Sequence, residues 1–139
     1  MIIADTGFWV AVANDKDQYH ALALEKFTKL TEPLVTTWPV MTEVCHLLLK
    51  RRGIKAELGF IQSYCDGAFL ALNPDETHRE RLLKLMNQYA DLPIDLADAS
   101  LVILAEELGH GRILSTDQRD FHSYRWKNTS PFENLLFAG

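Results

Sequence analysis

The chain has 139 residues, 47% of them hydrophobic and 24% charged, which are the proportions of an ordinary globular protein and exclude both a disordered chain and a membrane-embedded one. That length suits one domain spanning residues 1–139, whose folding buries roughly two thirds of the surface exposed when unfolded. The formal charge of −5, from 14 basic and 19 acidic residues, has the wrong sign for wholesale phosphate neutralisation, so a nucleic-acid role requires a cation or a local basic patch.

The first predicted strand is Ile2-Ile3-Ala4, and Asp5 follows it directly. The apolar run from Phe8 to Ala13 is too short to span a bilayer, and no basic leader precedes it, so the expected location is the cytoplasm, without a membrane. Leu22, Phe27 and Leu30 mark a first helix. Leu34-Val35-Thr36 is the second strand, and Val44, Leu47 and Leu48 lie in the helix behind it, where Pro39 fits the first helical position and Gly53 the end. Leu58, Ile61 and Tyr64 mark a third helix, followed by a strand over Phe69 to Leu72. Leu82, Leu85, Met86 and Tyr89 give a fourth helix. A fifth carries Leu101, Val102, Ala105 and Leu108, with Asp95 as its cap and Gly109 as its stop. Arg112 to Ser115 is the last strand, and Lys127 to Pro131 reads as the longest structureless stretch.

Short continuous apolar runs suit strands buried on both faces, and their alternation with helices predicts a three-layer α/β/α fold around a mostly parallel sheet. Cys45 and Cys65 lack C-x-x-C spacing and read as small core residues. His20, His46, His78, His110 and His122 are scattered and read as structural or surface residues.

Ligands of parallel sheets collect beyond the carboxyl ends of the strands, and in this chain the residues there are acidic. Asp5 follows the first strand and Asp117 the last. Glu43 sits in the first turns of the helix after the second strand, and Asp98 lies one turn into the helix that Asp95 opens. Four carboxylates brought together repel and resist ionisation, whereas a divalent cation relieves them. Hard oxygen donors without nearby Cys or His select Mg2+ or Mn2+, whose bound waters serve hydrolysis of a phosphate ester. Each acid also has an ordinary reading: Asp95 and Asp98 as helix caps, Asp5 as a turn residue, Glu43 as an exposed helical glutamate.

These residues resemble the four motifs of PIN-domain nucleases, and most of all the VapC-type toxins of toxin–antitoxin pairs. Ile3-Ala4-Asp5-Thr6-Gly7-Phe8-Trp9 resembles the first motif, Thr42-Glu43-Val44 the second, Asp95-Leu96-Ala97-Asp98-Ala99 the third, and Ser115-Thr116-Asp117-Gln118-Arg119-Asp120-Phe121 the fourth. The order and spacing of all four carry the likeness across nearly the whole chain. The resemblance implies a PIN-like fold, a metal-dependent endoribonuclease acting on RNA, and Asp5, Glu43, Asp98 and Asp117 as catalytic and metal-holding acids. It makes Thr116 a candidate to orient water or substrate, and Asp120 and Asp95 candidate additional acids. Asp120-Phe121 could equally begin a turn whose phenylalanine packs inward. The resemblance further implies a homodimer and a cognate antitoxin protein that covers the acidic groove.

Removing the four acids from the balance leaves −1. Arg119, Arg125 and Lys127 alternate with Phe121, Tyr124 and Trp126, a composition suited to phosphate contact and base stacking, and Arg119 and Arg125 are the candidate RNA contacts. The competing reading is a solvated edge whose aromatics belong to the core. Lys50-Arg51-Arg52 is explained by the dipole at a helix C-terminus. Three other functions were weighed. Asp5-Thr6-Gly7 spells the aspartic-protease triplet, but the helical periodicity opposes an all-β protease. An aspartate-based phosphatase lacks a second aspartate two residues after Asp5. A catalytically silent PIN-like RNA- or protein-binding module stays open.

Overall fold

The computed structural model describes residues 1–138. Strand β1 (Ile2–Ala4) is wholly buried and runs into helix α1 (Thr6–Ala13), which Asp5 caps by accepting the Phe8 amide at 2.9 Å. The sequence reading assigned no helix here. Thr6, Phe8, Trp9, Val10 and Ala11 are all buried, so α1 has almost no polar face and shows no 3.6-residue alternation.

Helix α2 (His20–Lys29) returns the chain to β2 (Leu34–Thr36). Helix α3 (Trp38–Arg52) carries Pro39 in its first turn and ends at Gly53, where φ is +93°. Helix α4 (Ile54–Cys65) leads to β3 (Phe69–Ala71). A 3-10 turn (Glu76–His78) opens α5 (Arg79–Gln88), and α6 (Leu96–Leu108) follows with Asp95 as cap and Gly109 in the left-handed conformation as stop. Strand β4 (Arg112–Leu114) ends just before Ser115. The short α7 (Gln118–Ser123) is capped by Asp117 and was not anticipated, because six residues offer little more than one helical turn of pattern.

Residues 127–131, expected to lack structure, instead form the tip of a hairpin between β5 (Arg125–Trp126) and β6 (Ser130–Pro131). Lys127 and Asn128 take positive φ at its turn. Glu106 of α6 receives the Lys127 amide at 2.5 Å and a two-pronged bond from Arg81 of α5, so one carboxylate holds the hairpin to two helices. A Cβ on Gly111 would stand 2.6 Å from Trp126 Nε1, so only glycine lets that indole lie against the start of β4. The chain then enters β7 (Glu133–Asn134).

Five strands form a fully parallel sheet in the order β3-β2-β1-β4-β7, with Ile3 opposite both Val35 and Ile113. From β1 the chain builds outward to β2 and β3, then crosses back to place β4 on the other side of β1. Right-handed crossovers put the helices before β3 on one face and those after it on the other. The interior strands are buried as expected, while β3 is an edge strand whose Leu70 is exposed. An aromatic cluster on one face joins Trp9 to Phe27, Phe60 and Phe69, and Phe121 packs edge-on against Tyr124 and Phe132 elsewhere in the core. Cys65 is exposed at the end of α4, contrary to expectation, because the helix terminus at Asp66-Gly67 projects it away from the sheet. No helix is long and apolar enough to cross a membrane among the described residues.

Candidate active site

The sheet reverses its building direction between β1 and β4, the place where a parallel sheet opens a crevice at its carboxyl end. Asp5 leaves β1 there and Asp117 follows β4. Above them the buried hydroxyls of Thr37, the residue before α3, and Ser100 of α6 lie 2.6 Å apart, joining the N-terminal turns of the helices that carry Glu43 and Asp98. The result is a cavity of about 330 Å³ lined by Asp5, Glu43, Asp98, Thr116 and Asp117, with Asp95 and Asp120 beside them. All seven residues expected from the sequence at the acidic site therefore share one cavity.

Three of the carboxylates have a local structural task as well. Asp5 accepts the Phe8 amide, Asp95 the Asp98 amide at 2.8 Å and Asp117 the Asp120 amide at 3.0 Å. Each caps a helix, so the ends of α1, α6 and α7 turn their partial positive charge towards the cavity. The capping explanation of Asp95 is thus correct, and it coexists with a place in the cavity wall. Aspartate, a residue type that starts a helix, also delivers an anion to the strand end.

Asp5 is only 3% exposed. Its second oxygen takes a short hydrogen bond from the Ser115 hydroxyl, and Ser115 is in turn clamped by Asn134 of β7, whose amide donates to the Ser115 carbonyl at 2.9 Å and accepts its N–H at 3.2 Å. Burial pushes the Asp5 carboxyl up to about 7; the Ser115 and Phe8 bonds oppose this, and the charges of Asp117 and Glu43 add to it. Burial likewise pushes Asp98 up to about 8, helped by Asp95, Asp5, Asp117 and Asp120. Asp120 is raised by burial and by its contact with Asp117. Tyr124, whose hydroxyl donates to Asp98 at 3.4 Å, is held protonated by burial and by these same acids.

Among the described residues no three His, Cys, Asp or Glu side chains close up into a ready coordination shell. Asp120 touches Asp117, while the acids as a set line the cavity walls without closing on one point. The donor set nevertheless fits a hard divalent cation: oxygen donors only, raised carboxyl pKa values at Asp5 and Asp98, and a cavity-lining Thr6, itself 8% exposed, whose buried hydroxyl has no hydrogen-bond partner. An orphaned hydroxyl beside buried carboxylates is a place for a water or a solvated ion.

Some participants escaped the sequence reading. Ser115 lies inside the quoted fourth motif, but attention fell on its neighbour Thr116. Asp17 reaches the cavity from the loop before α2 and carries no sequence signal. Arg51 also lines it, and its spacing of eight residues from Glu43 could have shown that both lie on one helical face. A second, open cavity of about 530 Å³ adjoins the first, sharing Asp17, Thr116 and Asp117 and adding Gln18, Tyr19, Gln118 and Arg119.

The aromatic part of the expected RNA patch is corrected. Phe121 and Tyr124 are buried in the core and have no free face for a base. Arg119 stays at the mouth of the site, whereas Arg125 turns its guanidinium back onto the carbonyls of His122 and Tyr124. Lys127 lies over the Trp126 ring, 5.9 Å from its centroid.

A parallel α/β sheet with carboxylates gathered at its switch point is the architecture of a PIN-like domain. The chain belongs to the PIN-domain family, whose model matches residues 2–127. It is similar to Ribonuclease VapC26 of Mycobacterium tuberculosis (strain ATCC 25618 / H37Rv), with 29% identity over 124 residues, covering 89% of this chain and 92% of that protein. Its fold matches the crystal structure of Mycobacterium tuberculosis VapC20, described as a Sarcin-Ricin loop cleaving toxin, with a TM-score of 0.79 at 18% identity, over 86% of this chain and 92% of that one.

Proposed function

We propose that this protein is a Mg2+- or Mn2+-dependent endoribonuclease acting as the toxin of a cytoplasmic toxin–antitoxin pair. The observation that carries the reading is the acid-lined cavity at the sheet's switch point, with buried Asp5 in its wall. Family membership and the likeness to a named ribonuclease support it.

In this reading Asp5, Glu43, Asp98 and Asp117 hold the metal, and Asp120 and Asp95 add negative charge to the wall. The bound ion supplies Lewis acidity and an acidified water for phosphodiester hydrolysis. Ser115 fixes the Asp5 carboxylate, and Asn134 fixes Ser115. Thr116 orients the attacking water or a phosphate oxygen, and Gly7 makes room for it, since a Cβ there would overlap Thr116 Oγ1. Arg119 contacts the RNA at the mouth of the site. A cognate antitoxin covers the acidic cavity when the enzyme is silent, and the enzyme works as a homodimer.

Two residues after Asp5, where an aspartate-based phosphatase needs a second aspartate, stands Gly7, packed against Thr116 with no room for a side chain. The test is cleavage of a mixed small-RNA pool with Mg2+ or Mn2+, beside EDTA and an Asp5→Asn variant. Metal-dependent cleavage that disappears in the variant is expected. A folded, metal-bound protein that leaves the pool intact would overturn the nuclease reading in favour of a binding module.

A further inference from the structure

Helix α3 presents Glu43, Leu47 and Arg51 at intervals of four residues, and all three line the acidic cavity. Glu43 and Arg51 stand about 12 Å apart along the axis, so Arg51, an exposed residue, lines the end of the cavity away from Glu43. Among the described residues Arg51 forms no ion pair, although seven acids share its cavity. Its neighbour Arg52 swings away and binds Asp15 at 3.1 Å. The helix dipole explains why cations end α3, but it acts on both arginines alike and says nothing of why one turns into the cavity with its donors unspent.

A guanidinium is always charged, presents a planar fork of donors and matches a phosphate in two-pronged geometry. In a chain of net charge −5, a substrate strand approaching seven carboxylates needs cations where it enters and leaves. Arg119, paired with Asp120 at 3.3 Å, lines the adjoining cavity that shares Asp17, Thr116 and Asp117. Building on the nuclease reading, the geometry points to Arg51 as a substrate-binding residue that grips an RNA phosphate flanking the scissile one, so that the strand crosses the carboxylates from Arg51 to Arg119. The site thereby reads at least one phosphate on each side of the cut, which requires an internal stretch of strand and disfavours a terminal nucleotide.

The test compares Arg51→Gln with Arg52→Gln, which removes the same charge from the same helix end. Steady-state cleavage in Mg2+ gives KM and kcat. Binding of a labelled single-stranded RNA to each variant in an Asp5→Asn background gives the salt slope without turnover. Arg51→Gln is expected to raise KM about tenfold with kcat little changed, the loss of one charge-assisted contact. It should also lower the salt slope by about 0.7, as expected for one phosphate on a single strand. Arg52→Gln should leave both near wild type. Equal behaviour of the two variants overturns the proposal, as does a fall in kcat or a change in Mn2+ affinity with RNA binding intact, because Arg51 would then serve the carboxylates. Wild-type cleavage with an unaffected Arg51→Gln removes only this inference. Absence of cleavage and of RNA binding in the wild type removes it together with the nuclease reading.

Discussion

Asp5 and Asp98 illustrate how burial is turned into metal affinity. Their carboxyls sit at about 7 and about 8, mainly because the cavity withholds water from them. A carboxyl raised in the folded state contributes stability below its ordinary value, and that contribution is lost as pH climbs through the raised one. The metal-free protein should therefore lose stability between pH 4 and pH 8 through these two groups, with a divalent cation restoring it at the upper end. We expect the rise in Tm on adding Mn2+ to be larger at pH 8 than at pH 5, measured by differential scanning fluorimetry. An equal rise at both pH values would mean that the ion binds elsewhere. In EDTA at pH 8, Asp5→Asn should raise Tm, and in Mg2+ the same variant should not cleave RNA.

Gly7 is a test of Thr116 at the same scale. Replacing it by alanine puts a methyl into the space of the Thr116 hydroxyl, whose rotation away relieves the overlap. Gly7→Ala should cut cleavage by ~10- to 100-fold, the range for a displaced positioning group, with a modest change in stability. Cleavage at the wild-type rate would remove Thr116 from the mechanism.

At the scale of elements, the C-terminal hairpin is held by a few specific contacts. Its own ladder is two residues long, and a hairpin of that size has little independent stability. What keeps it in place is Glu106, which receives Arg81 and the Lys127 amide, and the Trp126 indole on Gly111. Gly111→Ala should destabilise the fold by about 1–3 kcal/mol through overpacking, read from urea denaturation. The raised carboxyls of the active site lie elsewhere, so the pH dependence of the Mn2+ shift should survive that substitution.

The elements also show where sequence reasoning succeeds. Amphipathic helices were visible by periodicity, whereas α1 was missed because burial on all sides erases the pattern, and α7 because it is too short to carry one. Asp5 and Asp117 were recognised as residues after strands, yet their capping of those same two helices was visible only in the structure. The aromatics near the C-terminus were ambiguous from sequence, since core packing and base stacking use the same side chains. Burial of Phe121 and Tyr124 decides for the core.

For the whole molecule, net charge and local field have to be separated. The chain carries −5, and seven of its acids line one cavity; discounting only the four assigned to the metal, Asp5, Glu43, Asp98 and Asp117, leaves −1. A bound divalent ion thus removes much of the barrier to an incoming phosphate. RNA binding by a slow-cleaving Thr116→Val variant, which keeps the four metal-holding acids, should strengthen on adding Mg2+ and weaken with NaCl at matched ionic strength, followed by fluorescence anisotropy before turnover. Identical responses to both salts would indicate screening alone.

The sequence by itself determined the alternation of strands and helices, the parallel α/β class and which acids follow the strands or open the helices. These are local matters: strand runs, helical faces and the residue type that follows each strand can be read without knowing what lies nearby. Only the tertiary structure decided that β4 returns beside β1, that Asp5, Glu43, Asp98 and Asp117 share a cavity with Asp17, Thr6 and Arg51, and that Asn134, far along the chain, steadies Ser115 under Asp5. Strand order depends on packing between segments distant in sequence, and no local pattern encodes that β4 pairs with β1 or that β7 brings Asn134 to Ser115.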